Sequence, residues 1–225
     1  MSLTVEASNR RKMYQDDASR QKAATRYGDD YLRFLKDCSL ELVIDSLSRS
    51  NLERVHELTQ RTNQMNFSGT RYNRTMLEEI LTTSHLDTYV MECQDRFGSY
   101  GIIGFSIVDR REPRMTDLMF SCRIQSKRVE HAFLQHILQH YIAETGCDFR
   151  ADYRKTSRNA PSGLVFADLG MEEVATGDGV TALIFRKEGQ VPHDDIFTVK
   201  SKWTVGNQSQ PGVAASLNIS NAASV

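Results

Sequence analysis

Residues 115–146 constrain this chain more than any other stretch. They open with an apolar run, Leu118-Met119-Phe120, and pass through Ser121-Cys122-Arg123-Ile124-Gln125-Ser126-Lys127-Arg128. A long pattern follows in which Val129, Ala132, Phe133, Ile137, Leu138, Tyr141 and Ile142 recur at helical spacing on one stripe. The order is strand, short basic turn, helix. Such a turn aims backbone N–H groups and the positive end of a helix dipole at one point. Arg123, Lys127 and Arg128 add charge there, which suits a phosphate or pyrophosphate. The plain alternative is a buried strand, a solvated basic turn and an amphipathic helix. Cys122 ends the strand beside the turn.

With 225 residues, 40% of them apolar, the chain is long enough for one generous core with appendages. A net charge of -1 does not suggest a duplex nucleic-acid binder. No apolar run approaches bilayer length, and the N-terminus is polar and charged from Glu6 onward, so neither a membrane span nor a signal peptide is expected. Cys38, Cys93, Cys122 and Cys147 form no CxxC pair. Their wide spacing favours a reduced, cytoplasmic chain over a zinc ribbon or disulfide framework.

Residues 6–27 read as a polar helix with little to bury, a solvated linker. Gly28-Asp29-Asp30 breaks it, and Tyr31, Leu32, Phe34 and Leu35 mark a short helix that docks on the core. A strand is expected over residues 40–45 and a helix capped by Asn51 over 52–64. A polar, irregular stretch follows to Tyr72, then a helix over 74–83. Strands over 88–93, 101–108 and the opening stretch, joined by turns at 98–101 and 112–114, make an antiparallel meander. Beyond the long helix come a strand at 148–153, a helix from Asn159-Ala160-Pro161 to Gly170, and a strand at 180–185. Residues 197–205 supply an edge strand, and 208–225 read as disordered.

This order resembles the GNAT superfamily of acetyl-CoA-dependent N-acetyltransferases, an α+β fold with a mixed central sheet flanked by helices. Longer stretches resemble the C-terminal half of FkbH-like proteins: Glu53-Arg54-Val55-His56-Glu57-Leu58-Thr59-Gln60-Arg61-Thr62-Asn63-Gln64-Met65-Asn66-Phe67, then Asp95 through Gly104, Phe120-Ser121-Cys122-Arg123-Ile124, and Tyr153 through Pro161. The resemblance covers roughly residues 8 to 187. It implies an N-terminal HAD-type phosphatase half in full-length members. It also implies that a glyceryl unit is taken from bisphosphoglycerate, dephosphorylated and loaded as a thioester on an acyl carrier protein. The chain then reads as the GNAT-like half, with residues 1–37 a linker, 38–188 the domain and 189–225 a polar, partly disordered tail.

Two positions depart from the GNAT pattern. Its turn after the fourth strand runs Arg or Gln, two residues, Gly, one residue, Gly, and here Ser126 and Arg128 stand at the glycine positions. The tyrosine that serves many GNATs as general acid is replaced by Phe166, which has no proton to give.

Against that background Cys122 is the expected nucleophile, its thiolate favoured by Arg123, Lys127 and the helix N-terminus. Packing as a small apolar residue is the alternative. His56 is the candidate base and Asn63 completes the catalytic set. Arg123, Ile124, Gln125, Ser126, Lys127, Arg128, Val129 and Asn159 are expected to hold coenzyme A or a phosphopantetheine thioester. Gln64, Asn66, Tyr153 and Thr156 would orient the thioester or glyceryl group, although loop self-capping explains the amides equally well. His136 and His140 lack the HExxH pattern, read as helix-surface residues and imply no metal. Three functions are carried forward: an acyl or glyceryl transferase half serving an acyl carrier protein, a CoA-dependent N-acetyltransferase, and a non-catalytic carrier-protein docking module.

Overall fold

The computed structural model describes residues 5–193 and 195–202, with side chains from Lys12 onward. The expected meander is present as β2 (Leu86–Asp95), β3 (Gly98–Asp109) and β4 (Arg114–Phe120), paired antiparallel through tight turns. To one side β1 (Leu40–Asp45) pairs antiparallel with β2, and β8 (Phe197–Ser201) pairs parallel with β1. To the other lie β5 (Phe149–Tyr153), β7 (Val180–Phe185) and β6 (Glu172–Gly177), giving the order β6-β7-β5-β4-β3-β2-β1-β8. The parallel pair β4–β5 touches only at Arg114 with Arg150 and Met115 with Ala151, and then the two strands part.

Helices cover both faces. On one, α5 (Val129–Thr145) lays Val129, Phe133, Ile137 and Leu138 onto the sheet, joined by α2 (Tyr31–Asp37) and α6 (Leu164–Asp168). On the other, Val55 and Leu58 of α3 (Leu52–Arg61) and Leu77 and Ile80 of α4 (Arg74–Thr82) pack on Val90, Phe105 and Met119. The core is dense enough that a Cβ on Gly104 would lie 2.7 Å from the Phe120 ring and 2.9 Å from the Met91 sulfur.

Several local expectations change. The first, α1 (Val5–Ala24), is helical as expected but is not a free linker. Arg20 is 6% exposed. Its guanidinium donates to both Asp95 carboxylate oxygens, at 2.7 and 3.0 Å, and to the Gly98 carbonyl at 3.1 Å. Second, α3 ends at Arg61 rather than residue 64. Asn51 does not cap it. Its side chain ties the preceding turn, accepting from the Ser48 N–H and donating to the Ser46 carbonyl. Third, the expected helix over 159–170 contracts to the five residues of α6, because turns occupy the chain before it. Fourth, β6 was not expected. All six of its residues are exposed, and it is held by its ladder to β7. Residues 203–205 and 208–225, expected as strand and disorder, lie outside the described residues.

Candidate functional site

The gap that opens between β4 and β5 is filled by the chain itself. Met65-Asn66-Phe67, from the loop after α3, runs antiparallel to β4. The Phe67 N–H donates to the Leu118 carbonyl and the Phe120 N–H to the Met65 carbonyl, both at 2.9 Å. From the β5 side, the Arg154 N–H donates to the Phe67 carbonyl at 2.8 Å. The segment is thus a short wedge strand between the parting strands. Phe67 is fully buried and meets Tyr153 and Phe166 with ring centroids 6.2 and 5.5 Å away, while those two lie 5.5 Å apart. Phe166, 2% exposed, is packing.

Asn159 pins this closure. Its amide donates to the Asn66 carbonyl at 2.7 Å and the Arg154 carbonyl at 2.9 Å, and its oxygen accepts from the Thr156 N–H at 2.7 Å. The Thr156 hydroxyl accepts in return from the Asn159 N–H at 3.2 Å, a reciprocal cap on the turn before α6. The Tyr153 hydroxyl donates to the Asn159 carbonyl at 3.2 Å. Both amide hydrogens of Asn159 therefore bond within the fold, and it is 1% exposed. Asn66 caps its own loop, accepting from the Gly69 N–H at 2.8 Å and donating to the Thr70 carbonyl at 2.9 Å. Below the loop, burial pushes the Asp117 carboxyl up despite hydroxyls from Ser68, Tyr72, Thr70 and Thr116.

Outside the wedge, Asn63, Asn66 and Thr156 do share one opening, about 300 Å³, with Arg71 and Arg158. The Asn63 side-chain oxygen accepts from Arg71. Gln64 is exposed, and its carbonyl accepts from the Ser162 hydroxyl at 3.2 Å.

The basic turn keeps an unusual backbone. Ser126 (φ 64°) and Arg128 (φ 62°), at the two glycine positions of the GNAT pattern, both lie in the left-handed region that glycine favours. The side chains do not all face one anion. Ile124 and Val129 are fully buried, and Gln125 and Ser126 are exposed. The Lys127 amine lies 5.8 Å from the Tyr100 ring centroid, its pKa lowered by burial and by Arg20. In the first turn of α5, the buried Glu130 carboxylate takes a hydrogen bond from its own N–H. Burial pushes its pKa up. Next to it His131 Nε2 lies 3.0 Å from Asp168 Oδ2, joining α5 to α6.

Here the free edge of β4 is already bonded to Met65–Phe67, and a carboxylate sits at the α5 terminus. In this arrangement the gap between β4 and β5 is occupied by the chain's own backbone.

Cys122 opens a 3-10 turn, Cys122–Ile124, two residues past β4, and is exposed like Cys147, whereas Cys38 and Cys93 are buried. Burial pushes the Cys93 thiol up to about 12 and raises Cys38 as well. No hydrogen bond joins His56 to Cys122 among the described residues. His56 does not line the groove that Arg54, Glu57, Arg61 and Arg123 share. His136 and His140 are half-buried on α5, not surface residues, and burial lowers both pKa values.

Sequence reasoning missed Phe67, Glu130 and the Arg20–Asp95 pair. Only Glu130 left a signal, as an acidic residue in a first helical turn.

No protein-family model matches the chain. No curated protein matches it in sequence. Solved structures do match. A domain from Methanocaldococcus jannaschii DSM 2661 superposes with a TM-score of 0.55 at 12% identity, over 66% of this chain and 99% of that one. Spermidine N-acetyltransferase from Vibrio cholerae, solved with CoA and spermine, gives a TM-score of 0.51 at 14% identity, over 65% and 96%. Likeness at such identity speaks for architecture. Together with the strand order, the meander and the parting of β4 from β5, it gives the chain the α+β, GNAT-like fold.

Proposed function

We propose that the chain is a group-transfer module of the FkbH-like kind. It holds an acyl or glyceryl unit as a thioester on Cys122 and passes it to the phosphopantetheine thiol of an acyl carrier protein. The observation that carries this reading is a division of two features. The cleft between β4 and β5 is filled by the chain's own Met65–Phe67, while a thiol stands exposed just past β4. A protein-borne thioester needs no coenzyme A in the cleft. In the first step the Cys122 sulfur attacks the acyl carbonyl carbon. A C–S bond forms, the bond to the donor's phosphate or thiol leaving group breaks, and the thiol proton goes to solvent or the leaving group. In the second, the pantetheine thiolate attacks the thioester and Cys122 leaves as thiolate. The phosphatase half of such proteins would supply the dephosphorylated unit. Free cysteines suit a reducing compartment, which agrees with a cytoplasmic site of action.

A second reading is favoured by one observation: no acid or base hydrogen-bonds to Cys122 among the described residues. On that reading the domain docks the carrier protein without chemistry. Intact-mass measurement after incubation with acyl-loaded carrier protein separates the two. Transfer predicts an adduct that Cys122→Ala abolishes and Cys147→Ala leaves. Carrier binding without any adduct establishes docking. Acetylation of an amine from acetyl-CoA, again without an adduct, establishes an N-acetyltransferase whose wedge strand must first move aside.

A further inference from the structure

We propose that the groove between α1, α3 and the start of β3 is a binding site for a phosphate-bearing ligand, to which the basic turn before α5 contributes Arg123. The groove has a volume of about 640 Å³, and its charged lining is Lys12 and Asp16 of α1, Arg54, Glu57 and Arg61 of α3, and Arg123, with Tyr100 of β3 at its floor. That volume suits a small phosphorylated molecule or arm. Arg54 is held by Glu57 at 2.6 Å. Lys12, Arg61 and Arg123 have no carboxylate partner among the described residues, so three cations from three separate elements face one space. Four cations face two carboxylates, Asp16 and Glu57, in this groove, a local positive excess in a chain of net charge -1, and a bound dianion offsets the repulsion among them.

The groove is also built rather than incidental. Its α1 wall is fixed by the buried Arg20–Asp95 pair, and the Arg20 guanidinium lies 3.9 Å from the centroid of the Tyr100 ring. The Tyr100 hydroxyl donates to Asp95 at 2.9 Å, locking the floor to the same pair. The Asp16 carboxylate, which also lines the groove, lies against Gly98, where a Cβ would be 2.2 Å from it. Arginine supplies two of the three unpartnered cations and can grip phosphate oxygens with paired N–H groups. The ligand's phosphate would come from a free metabolite or from the arm of a carrier protein.

Calorimetry with inorganic pyrophosphate and with free 4′-phosphopantetheine tests this without any acyl transfer. Binding should weaken about tenfold or more in Lys12→Ala/Arg61→Ala and be lost in Arg61→Glu, since each well-ordered charge-assisted contact is worth about that factor. Arg111→Ala, at the other end of the sheet, should leave it unchanged. Tighter binding of phosphopantetheine than of pyrophosphate supports an arm; the reverse supports a free metabolite. No binding of either probe at millimolar concentration, or unaltered binding in Arg61→Glu with circular dichroism intact, overturns the proposal.

Discussion

The cleft between β4 and β5 and the groove beneath α1 flank the same end of the sheet, and they are built on opposite principles. In the cleft, backbone groups are paired, three aromatic rings interlock and both amide hydrogens of Asn159 are taken up. In the groove, three cations lack carboxylate partners and the space is open. Satisfied polar groups and packed rings hold a fold together, whereas exposed cations gathered in one place repel one another and add nothing to it. The contrast is one of packing: the cleft is closed by the chain itself, and the groove is left open.

The largest effect that would sharpen this contrast belongs to Phe67→Ala. Losing a fully buried ring from the wedge should cost about 3–5 kcal/mol in urea denaturation while leaving pyrophosphate binding intact. A loss below about 1 kcal/mol would mean the wedge is not anchored. Gly163→Ala should come next, at about 1–3 kcal/mol, because its Cβ would lie 2.3 Å from the Tyr153 hydroxyl oxygen in a packed interior. Gly98→Ala acts on the groove instead. With φ at 156° and Asp16 against it, a methyl should cost about 1 kcal/mol. It should speed proteolysis within α1 and weaken pyrophosphate binding; unchanged proteolysis would show that Asp16 simply rotates away.

Acid should move the two regions in opposite directions. Burial raises the Asp117 pKa, so its ionised form is a liability in the fold. That liability fades as pH falls from neutral through the raised value, and the loop after the wedge gains protection. For Asp95 burial also works against ionisation, but hydrogen bonds from Arg20 and Tyr100 win and hold its pKa below the ordinary value. Its contribution is complete above about pH 4 and is lost as pH falls through the lowered value. Hydrogen exchange corrected for intrinsic rates should therefore show α1 loosening below about pH 4 while residues 66–72 tighten above it. Loosening of both together would break the contrast. The smallest effect is expected for Ser126→Gly and Arg128→Gly, a gain below about 1 kcal/mol from relieving positive φ, read as a rise in melting temperature.

Much of the frame was legible in the sequence because periodicity reports burial. Apolar residues at helical spacing foretold α5, and alternation foretold β1. What escaped depends on distant partners. Glu172 to Gly177 carry no apolar alternation and form a strand only because β7 offers a ladder. Pro161 and Gly170 looked like the ends of one helix, yet the Asn159 turn and the close approach of Gly163 to Tyr153 take half of it. Arg20 sits in a stretch as polar as any linker, and its burial follows from Asp95, 75 positions away. At the candidate site, Asn63, Asn66 and Thr156 line one opening because the loop after α3 and the end of β5 meet in this layout. That Met65–Phe67 would enter the cleft is a three-residue event, too short for any period to record.

The wedge strand has a kinetic consequence. The Asn159–Asn66 hydrogen bond closes a span of 93 residues, and it needs the loop after α3 to meet the chain beyond β5. Such a contact repays its loop-closure entropy only after the hairpins of the meander exist. The wedge should therefore lock after the rate-limiting barrier, and Asn159→Ala should accelerate unfolding while leaving the refolding rate nearly untouched. The lifetime of the native state, rather than its speed of assembly, is then set at the seam between β4 and β5.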